Sequence, residues 1–257
     1  VTVAQTRAET AGAFFDLDGT LLPAPSLEWR FIGYLLERDE ISSAHVGRWL
    51  ARFAAAFWRD PREATDGNKR YLRGISETLV HDWERSLAPR FFHRDSLAFF
   101  DEALERISWH CARHHRVFLV SGTLAPLARV VARNLAARVS ADIDVCATEL
   151  DVAPGPNGIW NGRIAGEHMS GCAKLRAVVG LAARHGLDLS RSYAYGNSVR
   201  DLQMLEGVGQ AVAVNPTRRL ARAARKRGWQ TCAWQKRLDE IPRAAARAEG
   251  DAMKAAQ

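Results

Sequence analysis

Residues 11–20 read AGAFFDLDGT, and the reading of the whole chain starts there. An apolar run ending at Phe15 stops at Asp16, and a second carboxylate, Asp18, is followed at once by Gly19. A short apolar run bounded by a turn signal reads as a buried strand. In extended chain, residues i and i+2 point the same way, so Asp16 and Asp18 face one site. Two close carboxylates repel each other, and a cation is their natural partner. Gly19 lets the backbone turn sharply behind them. An Asx-type turn that merely closes a strand would use the same three residues.

Beyond this strand the periodicity changes. From Pro23 to about Arg90 the apolar residues recur at helical spacing, with Leu27, Phe31, Tyr34 and Leu35 on one face and Val46, Trp49, Leu50, Phe53 and Phe57 on another. No strand signal interrupts this stretch, which reads as an all-helical insertion. After it, helices are predicted over 96–114, 124–138, 172–185, 199–206 and 217–227. Strands are predicted over 116–120, 142–147, 192–195, 211–214 and 229–232. The turn dipeptides Asn157-Gly158 and Asn161-Gly162 flank Ile159-Trp160 and predict a small hairpin. Strands alternating with helices imply an α/β fold with a mainly parallel, Rossmann-like sheet covered on both faces. The expected domains are a discontinuous core, 1–22 and 91–257, and a helical cap, 23–90. The tail after Leu238 is expected to be a frayed helix or disordered.

In open parallel sheets, ligands bind beyond the carboxyl ends of the strands. The strand over 116–120 ends in Ser121-Gly122-Thr123, a hydroxyl and free amides at a helix start. That is an anion site or an ordinary N-cap. Lys174 stands in the first turn of its helix, against the helix dipole, which points to an anionic partner or to a solvated surface lysine. The strand over 192–195 leads into Gly196-Asn197-Ser198, with Asp201 one helical turn on. Asn197 and Asp201 offer oxygen ligands to a hard cation, or an N-cap with an acidic first turn. Each signal is weak alone. Together, four ends in one chain supply the groups that phosphoryl transfer needs.

Composition sets the outer bounds. The 257 residues are 47% hydrophobic and 25% charged, which fits a globular chain and excludes a wholly disordered one. No run of eighteen apolar residues occurs, so no membrane-spanning helix is expected. The polar N-terminus does not read as a secretory signal, and a cytoplasmic protein is expected. Cys111, Cys146, Cys172 and Cys232 form no C-x-x-C pair and read as free thiols. The net charge is +7, yet only five of the 36 basic residues are Lys. An Arg- and Ala-rich bias without basic-aromatic interleaving argues against nucleic-acid binding. The oligomeric state is not legible.

In their order along the chain, DLDGT (16–20), SGT (121–123), Lys174 and GNSVRD (196–201) resemble the haloacid dehalogenase superfamily, and the helical insertion resembles the cap of its phosphoserine-phosphatase-like branch, subfamily IB. The likeness runs from Phe14 to about Trp229. It implies a Mg2+-dependent phosphomonoesterase acting on a small phosphorylated metabolite, phosphoserine-like or another alcohol phosphate such as an amino-alcohol or lysophospholipid phosphate. By resemblance, Asp16 is the nucleophile that forms an aspartyl-phosphate, and Asp18 protonates the leaving alcohol and then deprotonates water. Ser121 and Lys174 hold the phosphoryl oxygens, and Thr20 and Gly122 lend backbone amides. Mg2+ is bound by Asp16, the Asp18 carbonyl and Asn197, with Asp201 in support.

Many relatives carry Asp where Asn197 stands, and the lost charge predicts weaker Mg2+ binding. The resemblance leaves phosphotransfer to an acceptor other than water open, and a non-catalytic protein using its basic surface is the rival from another class. Asp18 argues against dehalogenation. Among other features, His110, His114 and His115 read as a partly exposed helix end rather than a metal site, and Arg218–Arg227 as a solvated face. Glu28, Arg30, Asn68, Lys69 and Arg73 are polar residues of the insertion; the resemblance implies that some of them contact substrate, and solvated surface positions are the plain alternative. Its aromatic residues, Trp29, Phe31, Tyr34, Trp49, Phe53, Phe57 and Trp58, read as cap core, with the lining of an apolar pocket as the alternative.

Overall fold

Strand β1 (Gly12–Phe15) is buried along its whole length, and its side chains alternate between two apolar clusters. Phe14 stacks on Phe118 on one side, while Phe15 stacks on Tyr195 on the other. This is the period of two expected of a strand covered on both faces. The computed structural model describes residues 10–42, 46–47, 49–50, 54, 69–92, 99–154 and 158–235. Phe53, Phe57, Trp58, Asn68, Asn157 and the tail after Leu238 lie outside the described residues.

After β1 come α1 (Leu27–Glu37), a 3-10 turn (Arg70–Leu72), α2 (Thr78–Phe92), α3 (Asp101–Cys111), β2 (Arg116–Leu124) and α4 (Ala125–Val139). Then follow β3 (Ile143–Thr148), β4 (Leu150–Val152), β5 (Trp160–Ile164), α5 (Cys172–His185) and β6 (Tyr193–Gly196). A second 3-10 turn (Val199–Asp201), α6 (Leu202–Glu206), β7 (Gln210–Val214), α7 (Arg218–Arg227) and β8 (Gln230–Cys232) complete the order. Six strands form one parallel sheet in the order β3-β2-β1-β6-β7-β8. The chain moves to one side of β1 and then to the other, so the crevice beyond β1 and β6 is a topological switch point, where such sheets bind ligands.

Helix α1 starts at Leu27 because Ser26 caps it, its side chain accepting from the Trp29 amide, with Glu28 favouring the first turn. Its buried face, including Phe31 and Leu35, joins Trp83 of α2 and Trp160 of β5 in one cluster. The insertion's aromatic residues Phe31, Tyr71 and Trp83 are core, but Trp29 is not. The β4–β5 ribbon carries the predicted hairpin, with one difference. Asn161-Gly162 lies inside β5, because β5 pairs with β4 across a register irregularity. The ribbon also binds the insertion: Gly74 donates to the Trp160 carbonyl and Trp160 to the Ile75 carbonyl, and Ser76 bridges Ile159.

Two further expectations change. Strand β2 runs through Ser121-Gly122-Thr123 to Leu124, since Ser121 pairs with Ala147 and Leu124 with Thr148 of β3. Leu124 takes the N-cap of α4, so neither Ser121 nor Thr123 is that cap. His110 is fully buried rather than partly exposed. Its ring sits among Phe15, Trp109, Tyr193 and Tyr195, with Nε2 2.9 Å from the Tyr195 hydroxyl and Nδ1 2.8 Å from Nδ1 of His115. Helix α7 buries Leu220 and Ala224 and leaves most of its Arg side chains in solvent.

Candidate active site

Asp16 is the first residue past β1, and its amide donates to the Tyr195 carbonyl of β6 at 2.9 Å. That bond fixes the carboxylate above the switch point. Lys174, the third residue of α5, reaches over with Nζ 2.6 Å from Asp16 Oδ1 and 2.6 Å from Asp201 Oδ1. The three side chains are buried. The position that opposed the helix dipole is therefore matched by two carboxylates. Asp201 in turn spends Oδ2 on the Asn197 amide (3.1 Å), the Ser198 amide (2.9 Å) and the Ser198 hydroxyl (3.1 Å). Asp201 thus orients Lys174 and the loop that carries Asn197. Gly196 makes this possible, because a Cβ there would meet Asp201 Cβ at 2.4 Å.

Asp18 belongs to the same cavity but is held differently. Its Oδ1 accepts the amide of Leu27, the first residue of α1, at 2.8 Å, and its Oδ2 accepts the Thr123 hydroxyl. Gly19 follows at φ +81°, in the left-handed region, and a Cβ there would fall 1.9 Å from Asn197 Nδ2. Only glycine allows the Asn197 carboxamide to lie on this turn. Thr20 is placed beneath the site rather than in it. Its hydroxyl donates to Asp16 Oδ2 at 3.1 Å and its amide to the Leu17 carbonyl at 3.3 Å.

Ser121, Gly122 and Thr123 form the β2 wall of a cavity of about 330 Å3 that also opens on Asp16, Asp18 and Lys174. The opposite wall comes from Glu28, Trp29, Ile32 and Lys69 of the insertion, while Arg200 stands at the rim. Two contributors escaped the sequence reading. His168 and Met169 line the cavity from the loop before α5. Buried Thr148 joins that loop to the β2 wall, donating to the Gly122 carbonyl at 2.9 Å and accepting the Met169 amide at 3.1 Å. Nothing in local sequence marks Thr148. His168 had a signal, a polar residue shortly before Gly171 and Lys174.

Burial raises both acids of the site. Burial, reinforced by the charge of Asp201 and opposed by Lys174, pushes the Asp16 carboxyl up to about 6. Burial also raises Asp18, against the hydrogen bonds from Thr123 and Leu27. Burial works against the Lys174 ammonium, but Asp16 and Asp201 outweigh it and hold its pKa above the ordinary lysine range. Both acids are thus shifted toward their protonated forms by burial, and they differ in their partners: Asp16 lies against the fixed Lys174 ammonium, Asp18 against neutral donors.

The donor set suits a hard cation. The carboxylate of Asp16, the carbonyl of Asp18 and the carboxamide of Asn197 are all oxygen donors, and the Asn197 side chain lies directly on the Gly19 turn. Among the described residues no cluster of three or more His, Cys, Asp or Glu forms a cage. Mg2+ is usually held by one or two carboxylates plus substrate phosphate and water, and the Asp16 carboxylate with these neutral oxygens matches that donor type.

Comparison with known proteins agrees with this geometry. The family model for haloacid dehalogenase-like hydrolases matches residues 13–206. Phosphoserine phosphatase SerB1 of Mycobacterium tuberculosis is 31% identical over 226 residues, covering 86% of this chain and 70% of that protein. A Bordetella pertussis Tohama I protein of unknown function superposes with a TM-score of 0.70 at 26% identity, covering 88% of this chain and 99% of the other. A phosphoserine phosphatase solved as a phospho-aspartyl intermediate analogue shares the fold, with a TM-score of 0.56 at 19% identity over 92% of this chain and 99% of its own. With the signature carboxylates at the end of the central strand and the match spanning most of its length, the chain belongs to the haloacid dehalogenase-like hydrolase family, on its phosphatase side.

Proposed function

We propose that the protein is a Mg2+-dependent phosphomonoesterase that works through an aspartyl-phosphate on Asp16. The observation that carries this reading is the buried Asp16–Lys174–Asp201 chain beside Asp18, in one cavity at the sheet's switch point. Asp16 attacks phosphorus through a carboxylate oxygen, and the bond from phosphorus to the alcohol oxygen breaks. Asp18 gives its proton to that departing oxygen. A water then attacks the phosphorylated Asp16, Asp18 takes the water's proton, and inorganic phosphate leaves with Asp16 restored.

Lys174, the Ser121 hydroxyl and the Gly122 backbone hold the phosphoryl oxygens and offset charge as it develops. Thr20 orients Asp16 through its hydroxyl rather than reaching the phosphate through its amide. Asp201 keeps Lys174 and the Asn197 loop in place. Charge balance supports the need for a cation. Asp16, Asp201 and Lys174 sum to one negative charge, which would repel a phosphate dianion. Asp16, the Asp18 carbonyl and Asn197 would hold Mg2+, which would supply the missing positive charge at the phosphoryl group.

The substrate is a small phosphomonoester, and the insertion, residues 23–90, acts as a cap that selects its alcohol and limits water during transfer. The test is phosphate release from a panel of phosphomonoesters with and without Mg2+, using Asp16→Asn as control. Release that needs Mg2+ and vanishes in Asp16→Asn is expected. Turnover retained by Asp16→Asn would refute the mechanism.

A further inference from the structure

The cap side of the cavity combines two features that bear on which alcohol it takes. The first is a charge pair that is already closed. Lys69 Nζ lies 2.5 and 2.6 Å from the two carboxylate oxygens of Glu28, and the Tyr71 hydroxyl donates to the same carboxylate. Lys69 is only 6% exposed. The charged groups of this wall therefore match each other, and separating a buried pair is costly. The second feature is apolar surface turned into the cavity. Trp29 is 48% exposed and Leu50 41%, both unusual for large apolar side chains, and both line the cavity beside Trp49 and the buried Ile32. Trp29 and Trp49 meet edge to face, with centroids 6.1 Å apart, and Trp49 packs against Tyr71 at 5.0 Å. The shelf is thus braced on the same residue that caps the charge pair.

Exposed aromatic surface continuous with a polar reaction centre is the usual make-up of a small-molecule site: an apolar body for the ligand and a few polar groups for its reacting end. We infer that the shelf of Trp29, Trp49, Leu50 and Ile32 binds the alcohol part of the substrate, and that this alcohol carries a flat or bulky apolar body rather than a free amino-acid head. The inference rests on the phosphomonoesterase reading and narrows its substrate class. On this wall a zwitterionic head such as that of phosphoserine meets a charge pair that is already closed, and it leaves the Trp29 ring uncovered. An apolar body covers the ring and leaves the pair intact.

The experiment compares kcat/KM for 2-phenylethyl phosphate, ethyl phosphate and phosphoserine. The first two have leaving alcohols of similar acidity, so their ratio reads binding of the body rather than intrinsic reactivity. A ratio of at least about tenfold in favour of the phenylethyl ester is expected, equivalent to about 1.4 kcal/mol of transition-state binding, with phosphoserine below both. Trp29→Ala should bring the ratio toward one, mainly through KM, and Trp29→Phe should restore it. Far-ultraviolet circular dichroism of both variants checks the fold, and Leu50→Ser gives an independent removal of shelf surface.

A ratio near one in the wild type, phosphoserine as the preferred ester, or a ratio untouched by both shelf substitutions would overturn the inference while leaving the phosphatase reading intact. Release from none of the three esters with Mg2+ present would instead overturn the phosphatase reading itself.

Discussion

His110 sets a prediction that the chemistry of the active site does not enter. Its ring is fully buried, and burial, assisted by the neighbouring His115 and the cations Arg106 and Arg113, lowers its pKa to about 3. In the unfolded chain it would titrate near the ordinary value of about 6.5. Because the folded pKa is the lower one, the contribution to stability is complete above about pH 6.5 and is lost as pH falls toward 3. Linkage puts the loss at about 2 kcal/mol by pH 5 and about 3 kcal/mol by pH 4. Against a typical stability of about 5–15 kcal/mol, that is a large share.

The perturbation is His110→Gln, which can keep a polar contact to Tyr195 without titrating. Urea unfolding of both proteins at pH 8, 6 and 5, with EDTA present, gives the difference in stability at each pH. The wild type should lose about 2 kcal/mol more than the variant between pH 8 and pH 5. A difference that stays constant with pH, or a His110 resonance titrating near 6.5 in the folded protein, would refute the reasoning.

The remaining predictions concern the site. Lys174→Met leaves Asp16 and Asp201 facing each other without their shared cation, and should cost about 3–5 kcal/mol at neutral pH. Losing the ammonium raises the carboxyl further, so the penalty in urea unfolding should shrink as pH falls toward about 6 and level off below it, where Asp16 protonates in both proteins, and phosphate release should be lost at every pH. Gly19→Ala puts a methyl where Asn197 Nδ2 lies and a side chain at φ +81°. It should cost about 1–3 kcal/mol, read by thermal unfolding, and should raise the Mg2+ concentration needed for half-maximal activity. Asn197→Asp restores a negative charge among the oxygen donors and should lower that Mg2+ concentration; unchanged or weaker activation would sink the electrostatic account of Asn197.

What was legible from sequence was mostly what strand ends and periodicity encode. The short apolar run before Asp16 announced a buried strand, and the stop at Asp16 marked where the site would lie; that Phe14 and Phe15 enter different clusters is seen only in the structure. Helix α5 appeared with the expected bounds because its apolar spacing and Gly186 both speak locally. The boundary of β2 did not. Ser121-Gly122-Thr123 looks like a helix start, and only pairing with β3, a strand more than twenty residues on, draws it into the sheet. His110 went astray for the same kind of reason. Its place at a helix end gave the dipole argument, while the aromatic box that buries it comes from β1, β6 and the turn after α3.

The contact with most consequence was illegible for a further reason: it joins a side chain to a backbone amide. Sequence could place Asp18 beside Asp16, but it carries no sign that the first amide of α1 will find Asp18 Oδ1. The bond to the Thr123 hydroxyl fixes the other oxygen from the core side. Asp18 is thus held between the sheet and the first helix of the insertion. Both bonds stabilise the carboxylate, and both oppose the burial that favours its protonated form. Any movement of α1 that lengthens the Leu27 bond removes one of those opposing effects and makes Asp18 a weaker acid, better able to keep its proton until an alkoxide departs. In the proposed mechanism, where Asp18 is the proton donor, its carboxylate and the first amide of α1 share one hydrogen bond, so the position of α1 bears on when Asp18 can protonate the departing alcohol.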